Sequence, residues 1–225
     1  WKREIPLESA MPRLSGSDMR VGVLGGTFDP VHLAHLIIGE EARIQLELER
    51  VLFMPAGQPW LKAGQALSPA ADRLRMVELA IEGNPHFQVC CHEVNRDGPT
   101  YTVDTLEELH QELGADCEIF FIIGQDALEQ FHRWKEPARL LQLCRLAVAR
   151  RPGHDDFDRK AWQRLFSDAD EPAFLAAPSI DISGTEIRRR AAAGGTLRYL
   201  VPDAVADYIK RRRLYQAALL EPEES

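Results

Sequence analysis

The sequence lacks an excess of positive charge, a long apolar run and a metal-binding cysteine pattern. Its 27 Lys and Arg stand against 35 Asp and Glu, a formal net charge of −8, which argues against a nucleic-acid partner because such proteins need a broad basic surface. No run reaches the roughly 18 apolar residues of a membrane helix, so we expect no membrane partner. The 4 cysteines lie in or beside apolar runs without zinc-site spacing, which favours reduced, buried thiols in a cytoplasmic protein.

The two ends of the chain differ in composition from its middle. Residues 1–18 are polar, mixed in charge and without an apolar signal core, so we predict a flexible N-terminal extension. Residues 216–225 end in Glu-Pro-Glu-Glu-Ser and are predicted to form a disordered tail. No repeat or linker divides residues 19–215, which predicts one domain; homo-oligomerisation stays open because symmetric association leaves no mark in a sequence.

Short apolar runs alternate along the chain with segments of helical periodicity. The predicted strands are residues 20–24, 51–55, 87–91, 119–123, 145–149 and 174–177. The predicted helices are residues 33–48, 69–81, 102–113, 127–131, 137–143, 185–193 and 202–213. This alternation predicts an α/β fold with a Rossmann-like, doubly wound, mainly parallel sheet in a single domain, closed by a small C-terminal helical region. In such sheets ligands bind at the carboxyl ends of the strands.

Three local expectations follow from helix boundaries and composition. Ser68 is predicted to cap the second helix, with Pro69 as its first residue. Thr102 is predicted to cap the third helix, which Gly114 ends. The polar segment 151–170 is predicted to be a surface insertion.

The most informative stretch is residues 25–35, GGTFDPVHLAH, directly after the first strand. Gly25 and Gly26 allow close approach of backbone to a ligand, and the helix start that follows favours phosphate. His32 and His35 are three residues apart and share one helix face. The stretch is neither the dinucleotide pattern G-x-G-x-x-G nor a P-loop. A tight turn with half-buried histidines is the plain alternative; two histidines alone do not complete a zinc site.

A second constellation is residues 182–188, ISGTEIR, near the other end of the chain. Ser183 or Thr185 can cap the predicted helix, and Arg188 lies one turn inside it, where its guanidinium can fork onto a phosphate. Taken alone, this is a capped helix with solvated arginines. Its presence together with the first stretch favours a phosphate site.

The two stretches together resemble the G-x-F-x-P-x-H-x-x-H and S-x-T-x-x-R signatures of the nucleotidyltransferase superfamily. Residues 98–106 (GPTYTVDTL), residues 121–128 (FIIGQDAL) and Trp134 are more specifically similar to bacterial nicotinate mononucleotide adenylyltransferases. The resemblance runs from about residue 20 to residue 215. It implies transfer of the adenylyl group of ATP to nicotinate mononucleotide, giving deamido-NAD and pyrophosphate in NAD biosynthesis.

The resemblance also implies a role for each matching residue. His32, His35 and Arg188 are implied to be catalytic, acting on the ATP phosphates. Further ATP contacts are implied for Gly25, Gly26, Thr27, Phe28, Gly124, Asp126, Ser183 and Thr185. Mononucleotide contacts are implied for Lys62, Tyr101, Thr102 and Trp134. Mg²⁺ is expected on the triphosphate, held by phosphate oxygens and water, with no protein metal site.

Plain structural roles stay open for several of these residues. Asp126 can serve as a helix N-terminal carboxylate, Trp134 as a core aromatic, and Thr102 as a helix cap. The family loop Pro-Pro-His-Lys/Arg reads Gln58-Pro59-Trp60-Leu61-Lys62 here, and the usual second Ser of the closing motif is Gly184. Another adenylyl- or cytidylyltransferase, such as a phosphopantetheine adenylyltransferase, and a non-catalytic nucleotide-sensing module are the alternative functions.

Overall fold

Parallel strands at the centre of the computed structural model place the carboxyl ends of its first strands side by side. The structure describes residues 19–59, 67–114, 116–150, 157–178 and 180–216. The strands in chain order are β1 (Arg20–Gly26), β2 (Arg50–Pro55), β3 (Gln58–Pro59), β4 (Phe87–Val89), β5 (Pro99–Thr100), β6 (Glu118–Gly124), β7 (Arg145–Ala149) and β8 (Ala173–Leu175). The main sheet has six strands in the order β4-β2-β1-β6-β7-β8, and β3 pairs with β5 separately.

Helices connect the strands and cover both faces of the main sheet. They are α1 (Leu33–Gln45), α2 (Ala70–Ile81), α3 (His92–Asn95), α4 (Thr102–Leu113), α5 (Gln125–Glu129), α6 (Pro137–Leu143), α7 (Arg159–Leu165), α8 (Gly184–Ala192) and α9 (Asp203–Arg212). Residues of β6 alternate between two cores: Phe121 packs with α4 and α6, and Phe120 packs with α1, α2, α8 and α9. Because β6 is buried on both faces, it is apolar almost throughout. A mainly parallel sheet with helices on both faces confirms the predicted doubly wound α/β fold.

The order of the strands reverses beside β1. The chain runs from β1 outward through β2 to β4, and then returns to the other side of β1 with β6. All neighbouring strands of the main sheet are parallel. The connections therefore diverge where β1 and β6 end, at Gly26 and Gly124, and this leaves a crevice at the carboxyl edge of the sheet.

Two predicted helix caps are wrong by one residue. Pro69 has an extended backbone (φ −47, ψ 139) and precedes α2, so Ser68 lies outside the cap position. Tyr101 is the cap residue of α4, and Thr102 is its first helical residue. Gly114 ends α4 with a φ of 90 as predicted, because a left-handed φ suits glycine. The third strand ends at Val89 instead of Cys91.

Most described residues of the predicted surface segment are exposed as expected, but the segment contains a helix that buried aromatic side chains anchor. Residues 159–165 form α7, and the Trp162 side chain is 5% exposed, packed among Phe131, Phe157 and Phe166. Burying these aromatic rings outweighs the polar character of the segment. The predictions for residues 1–18 and 217–225 lie outside the described residues.

Candidate active site

The two motif histidines stack on each other where α1 begins. His32 has an extended backbone (φ −144, ψ 170) and precedes the first helical residue. Its backbone N–H donates to His35 Nδ1 at 3.2 Å, and the two ring centroids lie 3.7 Å apart. The ring of Phe28 meets His35 edge-on at 4.9 Å. Because Nδ1 accepts a hydrogen bond, a neutral His35 ring carries its proton on Nε2 as a donor.

His32 is the more buried of the pair. His32 is 7% exposed. This burial lowers the pKa of its imidazole from 6.5 to about 4. Its Nδ1 has no hydrogen-bond partner among the described residues. The ring is therefore neutral at physiological pH, and its Nδ1 is a buried polar atom without a partner among the described residues.

Arg188 reaches the histidines from the other end of the chain. Its guanidinium donates to the backbone oxygen of Asp29 at 2.7 Å and to Thr185 Oγ1 at 3.2 Å. Ser183 caps α8, since its Oγ accepts a hydrogen bond from the backbone N–H of Glu186 at 3.3 Å. Both partners of Arg188 are neutral, so its positive charge is not consumed by an ion pair with them.

A polar cavity, here called the histidine cavity, brings these groups together. It is lined by Thr27, Phe28, Asp29, Pro30, His32, His35, Leu67, Gly184, Thr185 and Arg188. Two histidines and an arginine at a helix start form a set that suits anionic oxygens.

A second cavity, here called the tryptophan cavity, adjoins the first at Thr27, which lines both. It is lined by Gly25, Gly26, Thr27, Met54, Ala56, Pro59, Glu93, Thr100, Thr102, Phe121, Ile123, Gly124, Ala127 and Trp134. Trp134 meets Phe121 edge-on at 5.9 Å, and its indole N–H is buried with no partner among the described residues. The cavity thus has an aromatic residue, Trp134, in its wall.

The two glycines at the end of β1 make room for aromatic neighbours. A Cβ at Gly25 would lie 2.9 Å from the Phe121 ring, and a Cβ at Gly26 would lie 3.1 Å from the Phe28 ring. Both distances are tighter than ordinary packing allows. Close packing therefore favours glycine at both positions, which also line the tryptophan cavity.

Arg73, which the sequence interpretation missed, ties three segments of the site together. The residue is 1% exposed. Its guanidinium donates to the backbone oxygens of Thr27 (2.8 Å), Ala56 (2.6 Å), Gly57 (2.8 Å) and Ser68 (3.1 Å). Burial lowers its pKa, and the negative charge of Asp29 opposes this effect. The available signal is its spacing, since Arg73 shares a helix face with the buried Met76 and Val77.

Asp29 and Glu93 are two further buried carboxylates that sequence analysis did not single out. Asp29 Oδ2 accepts the backbone N–H of Ser68 at 3.2 Å, and Asp29 Oδ1 accepts the Tyr215 hydroxyl at 2.6 Å. Glu93 Oε2 accepts the Thr100 hydroxyl at 2.8 Å, and burial raises the pKa of Glu93. Asp29 lies inside the histidine motif, which was the signal that could have found it.

Some residues implied by the resemblance lie apart from the two cavities. Tyr101 lies beneath Lys135, whose Nζ is 4.5 Å from the ring centroid, and Asp126 is exposed in the first turn of α5. Neither of them, nor Ser183, is among the residues lining the two cavities. Lys62 lies outside the described residues.

The described residues contain no group of three His, Cys, Asp or Glu side chains placed to hold a metal ion. In the same part of the chain, no helix combines the length and apolar character needed to cross a membrane.

The sequence is similar to that of known proteins. A family described as cytidylyltransferase-like matches residues 23–190. A probable nicotinate-nucleotide adenylyltransferase of Thermomicrobium roseum is 45% identical over 197 residues, covering 88% of this chain and 92% of the relative. The corresponding protein of Dehalococcoides mccartyi is 43% identical over 202 residues, covering 88% of this chain and 97% of the relative.

A solved structure shares the fold. The nicotinic acid mononucleotide adenylyltransferase of Plasmodium falciparum, complexed with NaAD, is 18% identical and superposes with a TM-score of 0.70 over 88% of this chain and 97% of that chain. Because the family model matches most of the chain and the relatives are 43–45% identical over 88% of it, the chain belongs to the cytidylyltransferase-like family and, within it, to the nicotinate-nucleotide adenylyltransferases.

Proposed function

We propose that this enzyme transfers the adenylyl group of ATP to nicotinate mononucleotide, forming deamido-NAD and releasing pyrophosphate. The observation that carries the proposal is the junction at Thr27 of a polar cavity holding His32, His35 and Arg188 with an aromatic cavity holding Trp134. An oxygen of the mononucleotide phosphate attacks the α-phosphorus of ATP. The bond from that phosphorus to the bridging oxygen breaks, and the electron pair leaves with pyrophosphate.

The histidine cavity supports binding of the triphosphate. His35 Nε2 is placed to donate to a phosphate oxygen, and Arg188 to donate to the β- and γ-phosphates. His32 is neutral in the free enzyme, and neighbouring phosphate charge favours its protonation. Such preorganised donors stabilise charge on the transferring group and on the leaving pyrophosphate, while the protein forms no covalent bond. We also propose contacts to ATP from four further residues of the two motifs: Thr27, Phe28, Ser183 and Thr185.

The tryptophan cavity supports binding of the pyridine mononucleotide. Trp134 offers a ring face for stacking and an unpartnered indole N–H. The start of α4 at Thr102 offers backbone donors for a carboxylate, with Tyr101 beside it. Gly124 and Asp126 are proposed to contact the adenosine ribose, and Lys62 the reacting phosphates.

Mg²⁺ is proposed to enter with ATP and to neutralise part of the triphosphate charge. Both carboxylate oxygens of Asp29, which lines the histidine cavity, already accept hydrogen bonds. Coordination by phosphate oxygens and water fits this donor set better than a protein cage does.

Pyrophosphate release with a panel of acceptors tests the proposal. The panel contains nicotinate mononucleotide, nicotinamide mononucleotide and phosphopantetheine. We expect kcat/KM to favour the nicotinate form over the nicotinamide form by roughly 5- to 150-fold, because one mispaired buried polar group costs about 1–3 kcal/mol. A ratio near one removes the carboxylate-selective pocket, and turnover with phosphopantetheine alone overturns the proposed function.

Substitution of Trp134 distinguishes stacking of the pyridine ring from recognition of its carboxylate. Trp134→Ala is expected to lower kcat/KM for both pyridine mononucleotides by a similar factor, since either ring stacks on the indole equally. A large change in their ratio would assign the selectivity to Trp134 instead of the donors near Thr102.

A further inference from the structure

We propose that Tyr215, beyond the last helix, is a positioning residue for the ATP phosphates, holding Asp29 so that the loop before α1 and the Arg188 guanidinium keep their places. The inference rests on the proposed function, because it assigns the histidine cavity to the triphosphate. It adds a segment of the chain that neither motif contains.

Asp29 is the centre of the network. The residue is 5% exposed, and three separate segments contact it. Its two carboxylate oxygens accept the Tyr215 hydroxyl (2.6 Å) and the Ser68 backbone N–H (3.2 Å), and its backbone oxygen accepts Arg188 (2.7 Å). A shift of Asp29 therefore moves the acceptor that orients Arg188.

The charge of Asp29 gives the hydroxyl a second effect. Asp29 lines a cavity assigned to polyanionic phosphate, where an uncompensated carboxylate repels the ligand. A hydroxyl donor disperses carboxylate charge, and hydrogen bonds to charged groups are stronger than neutral ones. Removing the Tyr215 hydroxyl both loosens the loop and leaves more negative charge facing the phosphates.

The contacts of α9 and the turn that follows it place the Tyr215 side chain beside Asp29. Tyr208 and Arg212 of α9 both bond to the buried Asp72 of α2, at 2.7 and 3.1 Å. Arg213 and Tyr215 have positive φ values of 53 and 65, which turn the chain back towards the cavity. Burial and the Asp29 contact raise the pKa of the Tyr215 phenol, so it is a protonated donor at neutral pH.

The chain offers a matched pair of variants. Tyr215→Phe and Tyr208→Phe each remove one hydroxyl that donates to a buried aspartate, but only Asp29 lines the histidine cavity. We expect Tyr215→Phe to raise the KM for ATP roughly 10-fold with little change in the KM for the mononucleotide. Tyr208→Phe is expected to lower the melting temperature and to leave both KM values unchanged.

Affinity for a non-hydrolysable α,β-methylene ATP analogue, measured by calorimetry, gives a readout independent of turnover. Tyr215→Phe is expected to weaken binding of the analogue about 10-fold in the otherwise unchanged protein. In an Arg188→Ala background the same change is expected to have a smaller effect, because the part that acts through Asp29 on Arg188 is lost and only the effect of the Asp29 charge remains.

Unchanged affinity in Tyr215→Phe, equal losses in Tyr208→Phe, or a full additive loss in the Arg188→Ala background would each overturn the assignment. A wild-type protein that binds the analogue without adenylating nicotinate mononucleotide would refute the proposed function. The role of Tyr215 in anchoring polyphosphate would still be decided by the analogue measurements.

Discussion

Arg188 differs from its arginine neighbours in what it contacts. Arg188 lines the histidine cavity, whereas Arg190 and Arg189 pair with Glu186 on α8. Arg188→Ala is expected to lower kcat/KM for ATP roughly 10- to 150-fold, since hydrogen bonds to charged groups contribute about 1.5–3 kcal/mol. Arg190→Ala is expected to change it less than about threefold, because exposed ion pairs contribute little. Steady-state kinetics of the two variants provide the check; equal losses would indicate a diffuse basic patch.

His32 predicts a pH dependence of stability. Its pKa is about 4 in the folded protein and 6.5 when exposed, so between these values the unfolded chain alone is protonated. The free energy of unfolding therefore falls as the pH is lowered from 6.5 towards 4, by at most roughly 3 kcal/mol from this group. Above pH 6.5 the contribution is fully present.

Urea unfolding between pH 7 and pH 4 measures this contribution. Replacing His32 by Asn removes the titrating group, so the wild type should lose stability more steeply than His32→Asn. His132→Asn, which removes an exposed histidine, should follow the wild type. Parallel curves for the wild type and His32→Asn would contradict the assignment of burial as the cause.

The motif residues of the site can be predicted from the sequence, because each motif lies directly after a predicted strand or at the start of a predicted helix. The histidines and Arg188 follow strands whose carboxyl ends meet at one edge of the sheet, so motif position alone brings them together. Asp29, Arg73 and Tyr215 act through contacts between distant segments; the Tyr215 hydroxyl bond spans 186 positions of the chain. No local pattern encodes such a partner.

At the scale of elements, α2 carries the connection between the loops after β1 and β2. Arg73→Met leaves four backbone oxygens without their donor, and unpartnered buried groups cost about 1–3 kcal/mol each. We expect the free energy of unfolding to fall by about 3 kcal/mol or more. Arg75→Met, on the same helix but paired at the surface with Glu78, is expected to change it by less than about 0.5 kcal/mol.

Chemical denaturation of both variants is the measurement. If Arg73→Met does not fold, Arg73→Lys keeps the charge but supplies fewer donors, and it should be intermediate in stability. Equal stability of the Arg73 and Arg75 variants would show that the guanidinium does not hold these loops.

Elements with long apolar runs are predictable, and the shortest ones are not. Strands β1, β2, β6 and β7 are continuous apolar segments, which is typical of a buried parallel sheet. Strands β3 and β5 are two residues each, too short to leave a pattern in the sequence. Gly57, just before β3, lies against the Glu93 backbone, where a Cβ would clash. Helix α7 was not predicted as a helix, because its exposed polar residues outnumber the one buried side chain, Trp162.

At the scale of the whole molecule, the fold brings two arginines and two histidines to one crevice of an acidic protein. The chain has a formal net charge of −8, yet the crevice beside β1 gathers Arg73, Arg188 and two histidines. The reversal of strand order creates the crevice, and α2 and α8, which are distant in the sequence, each bring an arginine to it. Overall charge thus argues against a nucleic-acid partner, while the location of the site follows from topology.

The shared lining residue Thr27 has a consequence for any molecule that fills both cavities. Two separate substrates each give up their translational freedom on binding, whereas one joined molecule gives it up once. We therefore expect a dinucleotide to be held more firmly than either half, and its departure to be a slow step of each cycle. An inhibitor gains in the same way when an aromatic ring for Trp134 and a polyanion for Arg188 are joined by a linker as long as the bridge between two nucleotides.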